Sequence, residues 1–259
     1  MLSRRTFLQT LFASVCTAGS PALGVAASET LEQLIEQATS RATLPERIEF
    51  MSRSLLGRPY KADTLIGSPE HAEEFVVRDD GFDCVTFCET VIAAANARTY
   101  DDFKIALRLI RYHHGEVSWR ERNHYFSDWR QRNVANGTFR PVPIAGSRII
   151  RKTVSWGNLG RRTVTIEAFP RRVLQANRSR LNTGDVIGFL SSRPTLDFFH
   201  TGIIVSSAHT GLVLRNASKS RGRVLDQPLD GFLAANKVQN IALLRPVDGT
   251  PDIAQRPQD

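Results

Sequence analysis

The chain changes its apolar periodicity once, and that change sets the class of fold. Up to about residue 112, apolar residues recur at helical spacing; from Gly184 onward they fall in short runs separated by turn signals. Leu31, Leu34, Ile35 and Ala38 share one face of a helix expected over residues 28–42. Pro45 suits the first turn of a second helix, which carries Ile48, Met51 and Leu55 inward and stops at Gly57. Asp83 is a good N-cap for a third, whose apolar stripe is Val85, Cys88, Val91 and Ile92, with Ala93 to Ala95 allowing close packing. A fourth is expected from about Tyr100 to Tyr112, with Phe103, Ala106, Leu107 and Ile110 inward. The segments GDVIGFL, HTGIIVS, TGLVLRNAS and NIALLRP read as strands, and TVSWGNLGRRTVTI as a hairpin turning near Gly157-Asn158. Residues 57–70 read as loop, residues 113–146 show little periodicity, and residues 168–181 are ambiguous. Helices first and strands later, without β-α-β alternation, predict an α+β fold on an antiparallel sheet.

The first 27 residues have a different purpose. Arg4 and Arg5 precede a short apolar run, Phe7 to Val15, and Val25-Ala26-Ala27 offers small residues at a cleavage point before Ser28. The run is too short to span a bilayer, so an export signal is expected at 1–27, of the twin-arginine type. Val15 argues against lipid attachment at Cys16, because a small residue is wanted there. Residues 28–246 are then expected to form a single domain, exported to the periplasm of a bacterium and not inserted in the membrane. Residues 247–259 are expected to be disordered, having little to bury. Without Arg4 and Arg5 the formal charge falls from +8 to +6. A basic surface can meet nucleic acid, anionic lipid or an acidic polymer. Export removes nucleic acid from that set, and an acidic glycan such as cell wall suits the compartment.

Two cysteines remain after the leader, in the stretch GFDCVTFCET over residues 81–90. As i and i+4 neighbours on a helix, Cys84 and Cys88 have Cβ atoms about 5–6 Å apart, whereas a disulfide wants roughly 3.5–4.5 Å. A metal site needs two further ligands in a recognisable spacing, and the histidines supply none, so neither metal nor other cofactor is expected. Both cysteines could simply be core residues. Position separates them. Cys84 follows the N-cap directly, where unpaired backbone N–H groups and the helix dipole favour a thiolate and can hold an oxyanion. Cys88 lies one turn deeper on the apolar stripe. Cys84 is therefore the candidate nucleophile and Cys88 a core residue.

A thiol nucleophile needs a base, and the base needs an orienter. If residues 200–206 and 212–218 are antiparallel strands joined by a turn from Ser207 to Gly211, then His200, Gly202, Ile204 and Ser206 share a face. With Ser206 opposite Leu212, Asn216 sits diagonally beside His200 on that face; a shift of two residues puts them directly opposite. Asn216 can then hold one ring nitrogen of His200 and leave the other for Cys84. Gly202 leaves room on that face for a helix to approach.

At these residues the chain resembles the NlpC-type papain-like cysteine peptidases that act on bacterial cell wall, and in particular the N-acetylmuramoyl-L-alanine amidase-like branch. The matching pieces are GRPYKADTL (57–65), GFDCVTFCET (81–90), NHYFSDW (123–129), TGDVIGFL (183–190), LDFFHTGIIV (196–205) and LRNAS (214–218). The resemblance implies a papain-like core, with the nucleophile helix packed on the antiparallel sheet. It implies Cys84 as nucleophile, His200 as general base and Asn216 as the third polar residue, where the superfamily often carries a histidine. It also implies that Tyr60 positions the scissile carbonyl, that Asp83 contacts the peptide stem, and that Tyr125, Asp128 and Trp129 line the sugar or stem site. The substrate implied is peptidoglycan or its muropeptide fragments, cut between the lactyl group of N-acetylmuramic acid and L-alanine. A γ-D-glutamyl endopeptidase acting within the stem, a catalytically silent wall-binding module and a lipid-acting acyltransferase of related fold remain as alternatives. Oligomeric state is not readable.

Overall fold

The computed structural model describes residues 29–155, 159–207 and 211–249. The expected leader at 1–27, the expected hairpin turn at Gly157-Asn158, residues 208–210 of the expected turn before Gly211, and most of the tail expected to be disordered lie outside them. Four helices come first: α1 (Leu31–Ala38), α2 (Leu44–Ser54), α3 (Cys84–Asn96) and α4 (Tyr100–Arg111). Each opens on a capping box, in which the N-cap side chain and the residue three positions on satisfy one another's backbone N–H groups. The pairs are Thr30 with Gln33, Thr43 with Glu46, Asp83 with Thr86, and Thr99 with Asp102. The expected inward faces of α1, α2 and α4 are buried.

α3 differs from its expected amphipathic form. Every residue from Thr86 to Ala95 is buried, while Val85 in the expected stripe is only partly covered. The reason is its position: α3 packs against α2 and α4 on one side and strands of the sheet on the other. A helix enclosed on all sides carries no stripe.

Residues 113–146, featureless by periodicity, contain a short 3-10 turn at His113–Gly115, helix α5 (Phe126–Ala135) and strand β1 (Phe139–Pro141). The buried face of α5 is Phe126, Trp129 and Asn133; a polar residue in that stripe hides its period. Asn133 is satisfied internally, its Nδ2 donating to Ile110 O at 2.9 Å and Trp129 O at 2.8 Å. β2 (Arg148–Ser155) and β3 (Arg161–Pro170) form the expected hairpin, and the ambiguous stretch after it is helix α6 (Arg171–Ala176) followed by a 3-10 turn.

The remaining elements are β4 (Val186–Leu190), β5 (Phe198–Ser207), β6 (Gly211–Ser218), β7 (Arg223–Pro228), helix α7 (Leu229–Ala235) and β8 (Asn240–Pro246). All strand pairs are antiparallel, in the order β2-β3-β8-β4-β5-β6-β7, with β1 added beside β8. One apolar cluster lies between the sheet and the first five helices and includes Val186, Leu190, Ile203 and Ala217. A second covers the opposite face with residues of α6 and α7 and includes Ile187, Phe189, Ile204 and Leu214. β4 is buried on both faces, which is why it reads as an unbroken apolar run. This is a mixed α/β architecture on an antiparallel sheet. Among the described residues no helix is long and apolar enough to cross a membrane. Past β8 the chain stays attached for three residues: Val247 N donates to Thr138 O at 2.9 Å, Asp248 pairs with Arg47, and Gly249 N donates to Asn96 Oδ1 at 3.0 Å.

One polar cluster is sealed inside. Glu89 of α3 and Arg111 of α4 are each 3% exposed and bond at 2.8 Å. Trp129 Nε1 donates to the other Glu89 oxygen at 3.2 Å, and Arg111 also donates to Val76 O. The cluster joins α3, α4, α5 and the loop before α3.

Candidate active site

Cys84 is the first residue of α3. Asp83 caps the helix with a single oxygen: Oδ1 accepts from Val85 N at 2.9 Å, Thr86 N at 2.7 Å and Thr86 Oγ1 at 2.9 Å. Two first-turn donors are therefore committed to the cap. The backbone N–H groups of Thr201, of Cys84 itself and of Val85 act on the Cys84 thiol in the direction that favours a thiolate. Thr201 follows His200 on β5.

The thiol does not have the acidity expected of a helix N-terminus. Burial pushes its pKa up to about 12, and the neighbouring Asp83 carboxylate adds to the rise. The three N–H groups pull in the expected direction but are outweighed, since a thiolate loses more by leaving water than these donors return. The resting residue holds its proton. Cys88 is fully buried, as expected of a core residue, and burial raises its thiol too. Both cysteines are free.

The β5–β6 ladder has the register expected: Ser206 opposite Leu212, Val205 opposite Val213, Ile203 opposite Arg215. His200 Nε2 and Asn216 Oδ1 are 2.9 Å apart. The Asn216 amide is fixed by its other end, where Nδ2 donates to Gln227 Oε1 at 3.1 Å and to Leu214 O at 3.3 Å. Oδ1 can then only accept, so Nε2 of His200 carries the proton and Nδ1 presents a lone pair. The ring lies against Phe232 of α7, with centroids 5.4 Å apart, and faces Phe189 of β4 at 6.4 Å. Burial lowers the His200 pKa below the usual imidazole value, against the pull of Asn216, so the ring is neutral at pH 7. Among the described residues no hydrogen bond joins Cys84 Sγ to the imidazole; such contacts often close only when substrate is bound.

Gly202 makes room for β6, not for a helix as its position alone suggested. A Cβ there would lie 2.8 Å from Arg215 O and 2.9 Å from Asn216 Cβ. The glycine lets Asn216 lean toward His200. Asn216→Ala is expected to lower kcat about 10- to 100-fold with little change in KM, less than the whole ~100- to 10,000-fold of general-base catalysis, because Phe232 still holds the ring. Steady-state kinetics beside the parent protein check it.

Tyr60 arrives from the loop after α2. Its N–H donates to Gly222 O at 2.8 Å, and the segment runs beside Phe82, with Lys61 N donating to Phe82 O at 2.9 Å. Gly81 permits this, since a Cβ there would meet Lys61 side-chain atoms at 2.7 Å. Burial, with the negative charge that Cys84 and Asp83 would carry, pushes the Tyr60 pKa up to about 12, so the phenol stays protonated.

The other three expected substrate contacts are placed elsewhere. Trp129 is wholly buried, packed between Phe126 and Phe139 at 5.0 Å from each, with its N–H on Glu89. Tyr125 is 3% exposed, with the Arg162 guanidinium 5.0 Å over its ring. Asp128 is ion-paired to that same Arg162. Buried aromatics offer a substrate no face, so Tyr125 and Trp129 serve packing, and Asp128 fastens the β2–β3 hairpin to α5.

The sequence reading missed Gln227, Thr201 and Phe232. Gln227 lies in β7, whose Pro and charged residues resemble a loop, and α7 follows with only seven residues. Among the described residues no group of His, Cys, Asp and Glu could hold a metal ion.

The chain is similar to known proteins along most of its length. A family model described as AmiA-like, N-acetylmuramoyl-L-alanine amidase-like, matches residues 50–241. A crystal structure of an N-acetylmuramoyl-L-alanine amidase from Bacteroides uniformis is 26% identical, with a TM-score of 0.70, over 80% of this chain and 100% of that one. A second structure of an amidase of that name and organism gives 25% and 0.69, over 79% and 99%. A protein from Legionella pneumophila shares the fold, with a TM-score of 0.74 at 20% identity over 85% of this chain and 94% of its own. No curated protein gives a significant match.

Proposed function

From the premise that the chain belongs to the AmiA-like, N-acetylmuramoyl-L-alanine amidase-like family, we propose that it is a cysteine amidase of bacterial cell wall. The reading includes an NlpC-type papain-like core over residues 28–246, cleavage of the 1–27 leader on export, and action in the periplasm on peptidoglycan or muropeptides. The observation that supports the chemistry is the 2.9 Å pairing of His200 Nε2 with Asn216 Oδ1 across β5 and β6, with α3, which Cys84 opens, packed against β5.

Cys84 and His200 start as a neutral pair. Nδ1 of His200 takes the thiol proton as Sγ attacks the lactyl carbonyl of N-acetylmuramic acid. Asn216 Oδ1 accepts from Nε2–H and steadies the imidazolium that forms. The oxyanion is held by the Cys84 N–H and the Tyr60 hydroxyl, since the cap occupies the next two N–H groups. His200 then gives its proton to the L-alanine nitrogen, which departs. Water, deprotonated by His200 Nδ1, attacks the thioester; the C–S bond breaks, the acid leaves and Cys84 regains its proton.

A neutral pair has its own pH signature. kcat/KM reports ionisations of the free enzyme. His200 must be unprotonated, and burial lowers its pKa. Activity is therefore expected to rise with pH through a midpoint below about 6.5, the ordinary imidazole value. It is then expected to stay level to pH 9, because burial pushes the Cys84 thiol up to about 12. A bell with an alkaline limb near 8.5 contradicts this.

The bond is tested on defined muropeptides, with products identified by mass spectrometry. Free stem peptide and bare sugar are expected. A cut inside the stem would overturn the bond assignment in favour of the γ-D-glutamyl endopeptidase. No cut at all, with binding retained, would favour the wall-binding module.

A further inference from the structure

Resting on that reading and extending it, we propose that a groove beside Phe199 is the subsite for the acidic peptide half of the substrate, the half that leaves first. The starting observation is a break in the β4–β5 ladder. Leu190 is opposite Phe198 and Phe189 is opposite His200, so Phe199 is the extra residue between them. A bulge re-aims a side chain. Here it turns Phe199 outward, 38% exposed, with its ring 6.1 Å from that of Phe189.

Phe199 borders a groove of about 680 Å³ that also takes in Ile150, Leu196, Arg193 and Lys237. Arg193 and Lys237 are exposed on its rim, and no Asp or Glu is among its described lining residues. Lys152 fixes the loop that carries Arg193, donating to the carbonyls of Ser191 and Arg193. An apolar floor with a few placed charges is a binding site for a chain with apolar and anionic groups in alternation.

The reaction decides which half of the substrate lies here. His200 gives its proton to the departing amide nitrogen, so that nitrogen sits at the imidazole and the chain attached to it continues past His200. Phe199 precedes His200 on β5 and opens the groove beside it. The leaving half is a peptide with free carboxylates. The acyl half is a neutral sugar amide with nothing for Arg193 or Lys237 to pair with. The groove therefore suits the peptide, and Phe199, Arg193 and Lys237 set its specificity.

Binding tests the subsite without turnover. Cys84→Ala protein is titrated calorimetrically with the free peptide L-alanyl-γ-D-glutamyl-L-lysine, with the same peptide amidated at its glutamyl carboxylate, and with N-acetylmuramic acid amidated at its lactyl carboxyl, which keeps the sugar neutral. The acidic peptide is expected to bind about 10-fold more tightly than the amidated one, a step of ~1.4 kcal/mol. Arg193→Gln with Lys237→Gln is expected to erase that preference. Phe199→Ala is expected to weaken both peptides alike by about 10-fold. These residues are exposed, and matching thermal midpoints verify that the variants fold. A preference that survives the double variant overturns the subsite, as does sugar binding that depends on these residues while peptide binding does not. Muropeptide hydrolysis is run beside it with the parent enzyme. Failure to cleave, with the binding pattern as expected, sinks the amidase reading and leaves the subsite standing; cleavage with peptide binding indifferent to all three residues sinks the subsite alone.

Discussion

Cys84→Ala is expected to lower kcat by about 10,000-fold or more, with the fold intact. A nucleophile removed from a unit of interdependent groups takes nearly the whole chemical step with it, leaving only what binding and oxyanion donors supply. The substitution removes one sulfur atom and leaves the Asp83 cap of α3 in place. Cys88→Ala makes the converse control. Cys88 is fully buried on α3 beside Thr201. Its truncation is expected to reduce stability by about 1 kcal/mol and to leave activity within a few-fold. Kinetics and urea unfolding of the two variants separate the cysteines, which sequence alone leaves equivalent in type. A Cys88→Ala variant that lost activity while Cys84→Ala kept it would invert the assignment.

The second large effect concerns stability. Glu89→Ala is expected to cost about 3–5 kcal/mol, because removing one partner of a buried ion pair leaves the other charge sealed and uncompensated. Arg111 is 3% exposed and cannot reach water, and the Trp129 N–H loses its acceptor as well. Three helices meet at this carboxylate and Arg111 ties in the loop before α3, so the loss is expected to be global and to appear as a lower urea midpoint with an unchanged slope. Replacing the pair together, Glu89→Leu with Arg111→Met, is expected to recover much of that loss, since a buried ion pair is often no better than apolar side chains of similar volume. If Glu89→Ala unfolds at the parent's urea concentration, the cluster is not a structural keystone.

How far these features can be read without a structure depends on the range of the forces behind them. The starts of α1 to α4 are local: a Thr or Asp cap and its reciprocal partner lie three residues apart, and the chain shows both. The β5–β6 register is nearly as local, because turn residues and alternating faces leave few pairings. That is why His200 and Asn216 could be set side by side from the sequence. What depends on tertiary surroundings was hidden. α3 looks one-sided because nothing in its own stretch tells that α4 will cover its far side. α5 disguises its period by burying Asn133. Trp129 resembles a ligand-facing aromatic until Glu89, forty residues earlier, is found to take its N–H. The Cys84 thiol illustrates the same limit in energetic terms: the helix terminus that favours a thiolate is visible in the sequence, and the burial that outweighs it is not. Phe199 is the opposite case, an aromatic beside another in FFH whose outward turn comes from a bulge that no periodicity predicts.

The account stands or falls on Cys84 forming a bond to its substrate. The most direct measurement is the intact mass of the protein, quenched in acid during turnover of a muropeptide. The account predicts a species heavier by one N-acetylmuramoyl group, carried on the peptide containing Cys84, and no such species in Cys84→Ala. Continued turnover by Cys84→Ala, with no adduct on either protein, would contradict it.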